Sequence, residues 1–82
     1  MTLQEFDLLS KERKSRKLFY NGIHLITKDY DTFSTALYHY NNFFVEVVYM
    51  LDTLETLKIN SYLKPPHMDL YLDEIGILKS LA

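Results

Sequence analysis

Residues 43 to 51, FFVEVVYML, constrain the fold more than any other stretch, because their hydrophobic rhythm has a period of two and so fits an extended strand rather than a surface helix. In an extended chain Phe43, Val45, Val47, Tyr49 and Leu51 share one face, and Phe44, Glu46, Val48 and Met50 share the other. The odd-numbered face is the better core. The preceding segment, about 32 to 40, runs into Asn41-Asn42, and asparagine tolerates positive φ, so these two residues suit a hairpin loop. That loop sets a register. Tyr40 pairs with Phe43, Tyr38 with Val45 and Ala36 with Val47, which puts His39, Leu37 and Thr35 opposite Phe44, Glu46 and Val48.

Two more strands flank this hairpin. Leu57 and Ile59 alternate with Thr56, Lys58 and Asn60 after a reversal around Asp52-Thr53. Ile23, Leu25 and Thr27 alternate with His24, Ile26 and Lys28, and apolar residues on both faces predict an interior or doubly covered strand. The expected strands are about 22–28, 32–40, 43–51 and 55–62, in meander order because short loops join neighbours.

The N-terminal third is helical. Thr2 and Glu5 stand at capping-box spacing, and Leu3, Phe6 and Leu9 form a short apolar stripe. The polar run KERKSRK then interrupts the pattern. One helix from about Leu3 to Tyr20 with a solvated middle is preferred to two helices divided at Ser10. Asn21-Gly22 ends it, with glycine expected in the left-handed conformation. Beyond the sheet, Pro65-Pro66 marks a linker, and Met68-Asp69 begins a short helix that reaches Gly76. The expected class is α+β: an N-terminal helix packed on a four-stranded antiparallel β-meander, with a short C-terminal helix. All of 1–82 forms a single domain, divided as 1–21 helix, 22–62 meander and 63–82 linker and C-terminal helix.

From Tyr20 to Ile77 the chain resembles a family of short uncharacterised bacterial proteins. The resemblance rests on Leu37-Tyr38 and Phe43 to Tyr49, matching an LY-x-x-x-x-FFVEVWY-like hairpin. It continues through Lys58-Ile59 and Ser61-Tyr62 in the following strand and Leu70 to Ile77, matching an L-x-PYL-x-x-I-x-I-like segment. Asn21-Gly22 matches the family's helix end. This chain departs from the pattern at Val48, where an aromatic is usual, and at Pro65-Pro66. The resemblance implies the same fold. It brings no activity with it, because the shared residues are those of cores and turns.

Composition narrows the function classes. With 48% hydrophobic and 24% charged residues the chain is a folding one, and with no cysteine it offers no disulfide, thiolate metal site or cysteine nucleophile, which fits a reducing cytoplasm. No secretory signal or membrane-length apolar run is visible. Only Gly22 and Gly76 are glycines, so there is no phosphate-cradling glycine loop. His24, His39 and His67 share no metal-ligand spacing, and Asp69, Asp73 and Glu74 fit the electrostatics of a helix start. No catalytic residue, cofactor or metal is expected, and a non-enzymatic interaction module is favoured over a small enzyme or ligand-binding domain.

Two surfaces stand out. The face bearing Phe33, Leu37, Phe44, Glu46, Val48 and Met50 is strongly apolar, while a single N-terminal helix can cover only one side of the sheet, so self-association as a homodimer through this face is expected. Glu46 is there read as a solvent-facing gatekeeper. The second surface is the run Lys11, Arg13, Lys14, Arg16 and Lys17 beside Phe19 and Tyr20. Residues 1 to 30 carry six Lys or Arg against four Asp or Glu, whereas the rest carry three against seven. A solvated helix face, or one that docks on the acidic remainder of a neighbouring subunit, is the favoured reading, with nucleic-acid or acidic-partner binding as the alternative, because the net charge is −2 and no groove-fitting motif is present.

Overall fold

The computed structural model describes residues 1–64. The expected C-terminal helix, His67 and the Asp69, Asp73, Glu74 group lie outside the described residues. Four strands, β1 (Ile23–Asp29), β2 (Phe33–Tyr40), β3 (Phe43–Met50) and β4 (Thr56–Tyr62), form one antiparallel sheet in the order β1-β2-β3-β4. The meander is the one the alternation predicts, and the central register matches residue for residue: Tyr40 faces Phe43, Ala36 faces Val47 and Leu37 faces Glu46. Asn41 takes φ 54° in the hairpin loop, the backbone state for which asparagine is suited. In the β3–β4 loop Leu54 also adopts positive φ, 61°, and its amide donates to the Met50 carbonyl at 2.9 Å.

The outer strands depart from simple alternation. Leu25 has no partner between His24↔Tyr38 and Ile26↔Leu37, and Leu57 has none between Lys58↔Val48 and Thr56↔Tyr49. Each edge strand therefore carries an irregularity that resets which side chains face which side. β1 is an edge, correcting the expectation of an interior strand. Bulged edges resist pairing with another sheet edge, so this placement protects both open sides.

The N-terminal region is two helices, α1 (Leu3–Asp7) and α2 (Lys11–Asn21), not the single one expected. Thr2 and Glu5 form the predicted capping box, with the Thr2 amide donating to Glu5 Oε1 at 2.8 Å and the Glu5 amide to Thr2 Oγ1 at 3.2 Å. Ser10 then turns extended, φ −66° and ψ 163°, and its hydroxyl accepts from the Arg13 amide at 3.3 Å. The break lets Phe6 and Leu18 both reach the same face of the sheet. They join Tyr40, Phe43 and Val45 as the core, with Leu3, Leu9, Tyr38, Val47 and Ile59 packed around. The ring of Phe6 lies 5.4 Å from Tyr40 and 5.5 Å from Phe43, and Tyr40 and Phe43 are 5.5 Å apart, so the hairpin's end pair grips the helix ring.

Gly22 caps α2 but not in the way the pattern implied. Its φ is −78°, an ordinary extended value. Its amide donates to the Leu18 carbonyl at 2.8 Å, and a Cβ at this position would stand 2.7 Å from that same oxygen. Glycine is needed here because the chain passes too close to the helix for any side chain.

Candidate functional site

The sheet face expected to be open is largely closed. Phe33, Phe44 and Met50 are half-buried there, but Leu37 is 0% and Val48 8% exposed within the single chain. Glu46, expected to face water, is 6% exposed, which overturns the gatekeeper reading. Glu46 sits mid-strand, paired with Leu37 on β2 and Asn60 on β4. It is not without an interaction partner, as a buried carboxylate requires. Tyr62, also on this face, has its hydroxyl pKa pushed up, first by burial and then by the nearby Glu46 charge, with the Asn60 side chain opposing.

The histidines do not converge. His24 shares a 2.7 Å hydrogen bond with Thr27 and packs its ring 5.4 Å from Tyr38. That His24–Thr27 contact exists because the irregularity at Leu25 turns both side chains to one face. His39 lies against Phe44 at 5.0 Å, on the opposite face. Among the described residues no group of three or more His, Cys, Asp or Glu could hold a metal ion. Asp29 accepts a hydrogen bond from Ser34, and Asp7 one from Ser61. These two carboxylates tie β1 to β2 and α1 to β4.

The basic run is where sequence and structure combine into a surface. A helix turns about 100° per residue, so positions 11, 14, 15 and 18 form one stripe and 13, 16, 17 and 20 form the opposite one. The first stripe faces the sheet. Leu18 is buried in the core, Lys14 Nζ lies 5.8 Å from the centre of the Phe6 ring, and Lys11 Nζ donates to the Thr56 carbonyl at 2.9 Å. Two of the five cations thus hold α2 onto the fold.

The other three do not. Arg13, Arg16 and Lys17 line a groove of about 530 Å³ with Tyr20 and Asn21, closed on its other side by Leu9 and Met1. Among the described residues no carboxylate lines it. Glu12, the one acid of α2, lines a different hollow with Lys11, Ser15 and Thr56. At the helix's C-terminal end Phe19 is 82% and Tyr20 73% exposed, their rings perpendicular at 5.2 Å. The pattern of the run alone shows five cations spread around a helix. It does not show that they divide three to two, nor that Tyr20 and Asn21 line one groove with the outward three. Knowing that Leu18 is the buried anchor of α2 is enough to find the division.

Among the described residues no helix is long and apolar enough to cross a membrane. Comparisons of the chain with family models, with curated proteins and with solved structures returned no match.

Proposed function

We propose that this chain is a non-enzymatic binding module whose working surface is the outward stripe of α2, and that its partner is anionic. The observation that carries this is the division of labour along α2. Lys11 and Lys14 are engaged against the fold, whereas Arg13, Arg16 and Lys17 converge on one groove without a described carboxylate to neutralise them. Like charges gathered on one side of a helix repel one another, and an anion relieves that repulsion. Arginine forks suit carboxylate or phosphate oxygens. The absence of cysteine fits a cytoplasmic setting for such a module.

Retention on a heparin column at low salt tests the proposal. Wild type is expected to bind and to elute with added salt, and Arg13→Ala with Arg16→Ala to pass through. A wild-type chain that flows through at low salt would remove the anionic partner from consideration. Self-association through the sheet face is the weaker reading, because Leu37, Glu46 and Val48 are already withdrawn from water in one chain. Sedimentation equilibrium of wild type and Val48→Lys addresses it, and a wild-type dimer lost in Val48→Lys would restore it.

A further inference from the structure

Resting on the anionic-partner proposal, we infer that the ligand of the α2 groove is a single nucleic-acid strand, with phosphates at Arg13, Arg16 and Lys17 and a base stacked on Tyr20. Charge alone would serve any polyanion. What narrows the class is the fourth member of the stripe: Tyr20 lines the same groove as the three cations, one turn beyond Arg16 and Lys17, and leaves most of its ring in water. Phe19 stands beside it at right angles and is still more exposed. Neither ring belongs to the core cluster. An acidic peptide would satisfy the cations but engage Tyr20 only if a suitable side chain fell beside it, whereas every base has a flat face to stack on an aromatic side chain.

The geometry also sets the size of the footprint. Residues 13 to 17 span about 6 Å along the helix axis, so the cations meet one or two neighbouring phosphates and the ring the adjacent base. A duplex fits less well, since its bases are stacked within the helix and the cations form a groove wall beside Leu9 and Met1 rather than a ridge that could enter a major groove.

Fluorescence anisotropy with a labelled twelve-nucleotide oligothymidylate tests this, alongside the matched duplex, polyglutamate and ATP as competitors. Binding to the single strand is expected to weaken with salt at a log–log slope of roughly −1, from one or two phosphates at about 0.7 each. Arg13→Ala, Arg16→Ala and Lys17→Ala together should abolish binding, while Tyr20→Ala should weaken it by roughly tenfold at an unchanged slope and Tyr20→Phe should restore it. Urea midpoints of the variants separate lost contacts from lost folding. If polyglutamate competes as well as the strand and Tyr20→Ala changes nothing, the strand is wrong but the anionic partner stands. Preference for duplex or ATP overturns the strand as ligand. No binding to any polyanion overturns both.

Discussion

The two helices differ in a way their lengths would not suggest. α1 has five residues and places Phe6 at the centre of the core with no exposure, while α2 has eleven and buries only Leu18. The short helix is a plug, and the long one is largely exposed. Fully burying a side chain such as Phe or Leu is worth roughly 1.5–3 kcal/mol, so each helix has about one such anchor, and the remaining turns of α2 are not explained by packing. Three outward cations and two exposed rings therefore have no packing role among the described residues.

Truncating the two anchors is the sharpest way to break this comparison. Phe6→Ala should cost about 3–5 kcal/mol, because it removes a ring held by Tyr40 and Phe43 and the surface on which Lys14 rests. That is a large part of the roughly 4–12 kcal/mol expected of a domain this size. Leu18→Ala should cost about 2–4 kcal/mol and loosen α2 while leaving α1 and the sheet in place. Urea unfolding gives both totals, and amide exchange shows whether the loss in Leu18→Ala is confined to 11–21. A uniform loss of protection would mean that α2 is part of the core rather than mounted on it.

Gly22→Ala probes the joint between α2 and the sheet. The added Cβ would meet the Leu18 carbonyl at 2.7 Å, so the end of α2 must shift, at a cost of about 1–3 kcal/mol. Had the glycine been chosen for a left-handed φ, the strain would lie in the residue's own backbone. Because φ is −78°, it lies in the contact, and Leu18 should move with it.

A smaller effect should appear at high pH, with one contribution beneath α2 and one on the far side of the sheet. Tyr38 lies with Leu18 and Phe19 along one hollow, and its hydroxyl pKa is raised, mainly by burial and then by Tyr49. Tyr62 is raised for its own burial and for Glu46. The folded state therefore holds both protons more tightly than the unfolded chain. Their contribution is fully present below about pH 10, the ordinary tyrosine value, and is lost as pH rises through the higher folded values. Stability from urea unfolding should be flat from pH 8 to 9.5 and then fall. Tyr38→Phe and Tyr62→Phe should each make the fall shallower.

The sheet was legible in the sequence because its signals are local: alternation in 43–51, turn residues at Asn41-Asn42 and Asp52-Thr53, and strands long enough to fix register. The edge irregularities at Leu25 and Leu57 were not, since a skipped residue leaves composition and spacing unchanged and depends on the partner strand. The helix break at Ser10 left a cue, a capping serine before a polar run, but the run's missing apolar stripe hid that a second helix followed with a single anchor. The burial of Glu46 is hidden for a related reason. A lone carboxylate in a strand is exposed in most settings, and its burial here depends on the tertiary surroundings of a central strand, which alternation does not encode. The site residues were half legible. The cations were plain, but their division into inward and outward stripes required the helix's phase.

The claim that the outward stripe of α2 has no part in holding the fold is tested most directly by the urea midpoint of the Arg13→Ala, Arg16→Ala, Lys17→Ala variant against wild type. Exposed side chains without structural contacts change stability by no more than about 0.5 kcal/mol, so the two curves should superimpose within that margin, and relief of like-charge repulsion could place the variant slightly higher. A loss above about 1 kcal/mol would show that these cations, like Lys11 and Lys14, hold the helix in place, and α2 would then be part of the scaffold rather than a surface for a partner.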